Sequence, residues 1–440
     1  MGVIDIGSSP GSFDTAALRG LHDDTFDAKD TMNILFFSDH FYPEPSAPAA
    51  HVYERAKLWV SAGHAVTVVT AAPNFPEGSV YPGYRNAWRS IEALDGIRVV
   101  RVKTFIVRNE GFVMRILDYL SYTVSALLQA LREPPPDVVI STSPHLFVPV
   151  AGVLLAKVRG VPHVFELRDL WPASIAANTS LGQERVYAWL ERLELYLYRS
   201  STRVVAFTPS FQRDLVRRGV NPAKIDVVLN GANLDLFSPP IFRDVALTRD
   251  LGLEGRFVIG YLGTLGLSQG LDNVIEAANL LRETRVTFLF VGVGAAKQSL
   301  EQRVRESGLN NVVFAARQPK EAMPRYWSVC DVALVHLRND PVFATVIPSK
   351  IFEAMAVGRP ILYVGPSGDG SDIITLHGAG LWVPAANPTG LATAVCALEA
   401  DPARVAEYSR AAALAAPEYS RRRQAQATLA VLERSMKTAL

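Results

Sequence analysis

Short apolar runs alternate with longer segments of helical period along most of the chain, and this alternation occurs twice. In the first series, residues 34–37, 65–70, 97–102, 137–142, 163–167, 204–207 and 225–229 read as strands. Residues 49–62, 113–132, 147–159, 184–199 and 211–218 read as the helices between them. Most of these strands are short, largely apolar runs, and the strand–helix–strand alternation points to a buried sheet with mostly parallel pairing. Residues 230–244, with Gly231, Pro239 and Pro240, have no period and break the series. A second series follows, with strands at 257–261, 286–291, 312–314, 332–336 and 381–383. Helices run to Leu281 and over 297–307 and 321–329. At 440 residues the chain exceeds what one ordinary core organises. The expected fold class is therefore α/β, two doubly wound Rossmann-like domains facing a central cleft. The first domain is expected over 32–235, a linker over 236–250 and the second domain over 251–415. A last helix over 416–440 is expected to cross back to the first domain. Residues 1–31 are polar, rich in Gly, Ser and Asp, and are expected as a disordered extension without a signal peptide.

In open α/β sheets ligands sit beyond the carboxyl ends of the strands, so the candidates are sought there. Residues 345–362 open with Thr345 and pass Pro348-Ser349 as a helix start. Ile351, Phe352, Met355 and Ala356 then share one face, while Ser349, Lys350 and Glu353 lie within one turn of each other. Such a turn can hold a phosphate and a neighbouring hydroxyl-bearing group. It equally fits a serine-capped helix with a surface Lys–Glu pair. The run from Gly260 to Gly270, with Gly263, Thr264, Gly266 and Gln269, joins a strand to a helix. Its amides could approach a diphosphate, though the spacing is not the dinucleotide fingerprint, and packing alone would also call for glycine. Phe165 to Pro172 carries Glu166, Arg168 and Asp169 off a strand end, either as functional groups or as a mutual ion pair. His336, Arg338 and Asp340 follow another strand, where Arg338 could reach the same phosphates as Lys350 or belong to an ordinary polar loop.

Other chemistries find no support. There is no P-loop, no zinc-protease motif and no Asp-x-Asp pair for a metal-bridged diphosphate. A formal charge of +1 argues against a nucleic-acid binder. Cys330 and Cys396 lie in apolar segments without metal-ligand spacing, which fits a reduced, cytoplasmic compartment. No segment is long and apolar enough to span a bilayer; residues 146–156 fall short. Arg101, Lys103, Arg108 and Arg115 lie among Phe105, Phe112 and Tyr119, a mixture that suits an anionic membrane surface. A helix there that simply packs its apolar face on the sheet is the plainer reading.

The runs FYPEPSAPAAHVYERAKLWVSAGHAVTVVT, APNFPEG, ELRDLWP, LNGANLDLF, GTLGLSQGLDNVIEAA, VGVG and PSKIFEAMAVGRPIL, in this order, resemble the retaining glycosyltransferases of family 4, which have the GT-B fold. More closely the chain is similar to the bacterial L-fucosamine transferase-like subgroup of O-antigen and capsule biosynthesis. The resemblance covers residue 32 to the C-terminus. It implies a nucleotide-sugar donor on the second domain. Glu353 matches the glutamate that binds the ribose hydroxyls, and the amides around Ser349 and Lys350 match those meeting the diphosphate. Gly263-Thr264 and Gln269-Gly270 match the diphosphate-facing loop, and Arg317-Gln318 the base pocket. Arg168-Asp169 matches the region facing the transferred sugar and the acceptor. Three positions depart from the family pattern. Thr345 stands where a second glutamate is common, Thr264 and Gln269 stand where a basic pair is common, and Arg168-Asp169 replaces an acceptor-side histidine. Charge neutralisation then falls to Lys350 and Arg338, and the missing carboxylate points to a deoxy or acetamido sugar.

The implied activity is retaining transfer from a UDP-sugar, expected to be an acetamido-deoxyhexose, to a polyprenyl-diphosphate-linked saccharide at the inner face of the plasma membrane. Asp169 would orient or deprotonate the acceptor hydroxyl. No metal or other cofactor and no nucleic acid is expected. A UDP-sugar 2-epimerase of the same fold and a non-catalytic nucleotide-sugar-binding subunit remain open as alternatives.

Overall fold

The computed structural model describes residues 31–106, 112–143, 146–170, 184–238 and 242–439. Residues 1–30 of the expected extension, Arg108, and the Trp171-Pro172 end of the ELRDLWP run lie outside them.

The first half runs β1 (Asn33–Phe37), α1 (Ala47–Ser61), β2 (Ala65–Ala71), β3 (Arg89–Leu94), β4 (Ile97–Val102), α2 (Phe112–Ala130), β5 (Val138–Thr142), α3 (Phe147–Arg159), β6 (His163–Leu167), α4 (Glu184–Ser200), β7 (Arg203–Ala206), α5 (Pro209–Arg217) and β8 (Ile225–Val227). Its sheet has the order β3-β4-β2-β1-β5-β6-β7-β8. All pairs are parallel except β3 with β4. The continuous apolar runs are explained by two covered faces. Ile34 and Phe36 of β1 point into one core layer, and Leu35 and Phe37 into the other.

The second half runs α6 (Val245–Asp250), β9 (Phe257–Leu262), α7 (Asp272–Leu280), β10 (Val286–Val291), α8 (Lys297–Glu306), β11 (Val312–Ala315), α9 (Met323–Ser328), β12 (Val332–His336), α10 (Lys350–Ala356), β13 (Ile361–Gly365), α11 (Asp369–His377), β14 (Gly380–Pro384), α12 (Pro388–Ala400), α13 (Pro402–Ala415) and α14 (Arg421–Ala439). Its parallel sheet has the order β11-β10-β9-β12-β13-β14, again with two covered faces.

Several expectations change. Helix α1 starts two residues early, because Ser46 Oγ accepts from Ala49 N and Pro48 fits its first turn. Strand β3 was not foreseen; it is a half-exposed edge strand without a clear apolar face. The expected linker over 236–250 ends in helix α6. Asp244 caps it, and Leu247 is buried in the second domain's core. Helix α11 was not foreseen either, since its DGSD start reads as a loop.

Helix α2 packs on the sheet through Tyr122, Ala126 and Ala130, as the plainer reading expected. It also has a second apolar face turned outward, formed by Met114, Leu117, Leu120, Val124 and Leu128, with Val124 57% exposed. Among the described residues no helix is long and apolar enough to cross a membrane.

The two halves are joined by paired crossings. Ala232 and Ser420 form a parallel bridge, with Ala232 N donating to Tyr419 O and Arg421 N to Ala232 O. Helix α14 then lies on the first core through Ala425, Leu429 and Leu432. Trp59 Nε1 donates to the Ala425 carbonyl at 3.0 Å.

Candidate active site

Each sheet reverses its strand order beside its first strand: β1 lies between β2 and β5, and β9 between β10 and β12. Loops leaving the two strands at such a point diverge to opposite faces and open a crevice. In the second domain the crevice is bounded by the turn after β9 and the loop after β12.

Gly263 follows β9 with φ +136°, a backbone that residues with a Cβ rarely adopt. A Cβ there would stand 3.4 Å from Lys350 Nζ, so the lysine lies directly on the turn. Lys350 Nζ is also 3.5 Å from the centre of the Tyr261 ring. Burial lowers the Lys350 ammonium to about 7, with Glu353 acting in the opposite direction. Glu353, one turn further, is raised by burial, an effect opposed by Lys320, Lys350 and Arg421. Lys350 is therefore a desolvated amine lying directly on a glycine turn, where binding of an anion would favour its protonated form.

The other donor-side candidates have these contacts in the free protein. Ser349 takes helical backbone angles and makes no side-chain cap. Gln269 braces its own turn: its Oε1 accepts from Gly266 N at 3.0 Å, and its carbonyl accepts from His336 Nδ1 at 2.6 Å. Thr264 is exposed, and its carbonyl accepts from the Tyr261 hydroxyl. The Thr345 hydroxyl donates to the Val342 carbonyl within a 3₁₀ turn over Pro341–Thr345. Arg338 is 3.4 Å from Asp340 and leans toward the Phe343 ring. Arg317 is exposed, and its charge reaches Tyr81 of the first domain.

In the first domain, β6 delivers Glu166, Arg168 and Asp169. Burial pushes the Glu166 carboxyl up, but Arg55 and Arg168 outweigh it and hold the group below its usual range. Glu166 forms a buried ion pair with Arg55 and accepts from Thr142 Oγ1 at 2.8 Å. Arg168 turns back to the same carboxylate at 3.4 Å, donates to His51 Nδ1 and lies over the Phe207 ring. The guanidinium is thus committed to Glu166 and His51, not to its neighbour Asp169. Asp169 stays open on one side, yet the surrounding protein desolvates its carboxyl and raises it to about 6, against the pull of Arg168. His51 is held neutral by burial and by Arg421, Arg168, Lys320 and Arg55.

The two sides meet at the crossing. Glu54 of α1 binds Lys320 Nζ at 2.5 Å and Arg421 Nε at 2.9 Å, and Arg421 also donates to Asn230. Lys320 and Arg421 act on both Glu353 and His51, so the donor-side and acceptor-side candidates share one charge cluster. Sequence reasoning missed His51, Glu54 and Arg55. Their signal was a polar stripe, with Glu54 and Arg55 three and four residues after His51, on a helix whose other buried residues are Ala49, Val52, Ala56 and Trp59. Among the described residues, no group of His, Cys, Asp and Glu side chains is arranged to hold a metal ion.

The whole architecture resembles HepE of Anabaena, solved in complex with UDP and glucose. The TM-score is 0.68 at 19% identity, over 91% of this chain and 99% of that one. Residues 46–231 match the glycosyl transferase 4-like domain, and residues 256–401 match the glycosyl transferases group 1 family. The chain is a GT-B glycosyltransferase. It is 29% identical to the "Putative colanic acid biosynthesis glycosyl transferase WcaI" of Escherichia coli strain K12, over 74% of this chain and 82% of the relative. It is 22% identical to the UDP-Gal:alpha-D-GlcNAc-diphosphoundecaprenol alpha-1,3-galactosyltransferase of Escherichia coli, over 62% of this chain and 68% of the relative. The junction between the matched GT-B domains, after residue 231, falls on the crossing at Ala232.

Proposed function

We propose that this glycosyltransferase moves a sugar from a UDP-sugar, with retention, to a polyprenyl-diphosphate-linked saccharide during surface polysaccharide assembly. The carrying observation is Lys350 seated on the Gly263 turn, with Glu353 behind it and Asp169 on the other domain. The names of the two relatives, and UDP in the structural neighbour, support a UDP-sugar and a lipid-linked acceptor. Glu353 binds the ribose hydroxyls, Arg317 borders the base, and Gly263, Thr264 and the segment at Ser349 face the diphosphate. Lys350, assisted by Arg338, stabilises the charge that grows on the leaving diphosphate, without a metal. Asp169 takes the acceptor proton, and Arg168 is held in place by Glu166 and His51. A fucosamine-type acetamido-deoxyhexose remains the expected donor, because Thr345 offers no carboxylate to a hexose hydroxyl.

Glu353→Ala should raise the donor KM about tenfold or more with little change in kcat, read by transfer kinetics on the donor identified in a mass-spectrometric screen of UDP-sugars. Unchanged donor kinetics would remove its assigned role.

The acceptor's lipid places the enzyme at the inner membrane face, and the outward apolar face of α2 suits that surface. Leu154 and Val158 of α3, which packs on α2, are exposed as well. Leu117→Glu combined with Val124→Glu should weaken binding to anionic vesicles about tenfold or more while UDP affinity stays the same. Undiminished vesicle binding in a sedimentation assay would contradict this placement.

A further inference from the structure

The loop that leads into Lys350 is held by the opposite domain. Thr208, in the turn after β7, donates through Oγ1 to the Thr345 carbonyl at 2.9 Å. Asp369, the first residue of α11, has 1% of its side chain exposed. Both of its carboxylate oxygens face the first domain: Oδ2 accepts from Ser210 N at 2.9 Å, and Oδ1 from Arg213 NH2 at 3.1 Å. Ser210 lies in the first turn of α5, so Asp369 caps that helix from across the domain boundary. Gly368 lies against the 3₁₀ turn, where a Cβ would collide with the Ala344 carbonyl. The turn over Pro341–Thr345 is therefore clamped between α5 and the start of α11, and the chain runs from it into Pro348, Ser349 and Lys350. Helix α10 itself is anchored by buried Ile351, Phe352 and Met355, so the loop before it is the part that depends on the clamp.

We propose that Asp369 is a positioning residue that couples closure of the cleft to the placement of residues 341–349, so that a nucleoside diphosphate meets a preformed phosphate end. The proposal rests on the donor-site reading above. Separation of the domains takes both partners from the Asp369 carboxylate and releases the loop. The nucleoside end, carried by the anchored α10, does not depend on it.

The test compares the full-length wild type with Asp369→Ala and Arg213→Ala, using calorimetry with UDP and with uridine, and amide hydrogen exchange. The Arg213 side chain is 65% exposed, so that variant puts no core packing at risk. Asp369→Ala should weaken UDP about tenfold, as for a loop competent roughly a tenth of the time, and leave uridine within about twofold. Exchange should quicken at 341–349 and at the start of α5 but not in β9 or β10, and UDP should slow it again. Arg213→Ala should act in the same direction and less. Unchanged UDP affinity with unchanged exchange overturns the proposal. So does faster exchange throughout the second domain with UDP and uridine weakened alike, which marks a structural role only. A wild-type protein that binds no UDP overturns the donor-site reading itself, whereas failure confined to the variants overturns only the clamp.

Discussion

Replacing Lys350 with methionine should lower kcat for transfer about a hundred- to thousandfold, the range for removing one preorganised group that stabilises developing charge. The size follows from where the ammonium sits. It lies on the Gly263 turn and the Tyr261 ring, with burial that already lowers it to about 7. A cation kept short of water interacts strongly with charge that appears beside it. Arg338 does not substitute fully, because it leans toward Asp340. The same geometry gives a proton signature. A bound diphosphate raises the lysine above about 7, so above that pH binding takes up a proton. UDP affinity should weaken as pH rises beyond about 7. Calorimetry at pH 8 in buffers of different ionisation enthalpy should show proton uptake in the wild type, and Lys350→Met should abolish it. An active variant with the same proton uptake would count against leaving-group stabilisation.

Asp169→Asn should lower kcat about a hundred- to ten-thousandfold, the usual span for a general base, with UDP affinity retained. The carboxyl must be ionised to take the acceptor proton, and desolvation by the protein on its inner side raises it to about 6. The wild-type rate should therefore rise with pH through about 6, and this limb should vanish in the variant. A wild-type profile flat from pH 5 to 7 would exclude Asp169 as the titrating base.

Much of this was legible in the sequence because it is local. Both sheets announce themselves through apolar runs such as 138–142 and 286–291, which stay buried along their whole length. Lys350 and Glu353 are one helical turn apart, so their shared side follows from spacing alone. The acceptor side was less legible. Arg168 and Asp169 are adjacent in the chain, yet tertiary packing gives Arg168 to Glu166 and His51. Lys320, Glu54 and Arg421 come from three distant segments, and no local pattern could bring them together. Helix α2 shows the limit of periodicity: a helix apolar on most sides does not reveal which side meets the sheet. Asp369 was hidden in a Gly-Ser-Asp stretch that reads as a loop, while the structure makes it a helix start with partners in the other domain.

A crystal structure of the full-length chain with UDP bears most directly on the donor cleft. The ribose hydroxyls should lie within hydrogen-bond distance, about 2.6–3.2 Å, of the Glu353 carboxylate, with the diphosphate against the Gly263 turn and Lys350 Nζ. UDP bound elsewhere, or a diphosphate turned away from Lys350, would contradict a UDP-sugar transferase working from this cleft.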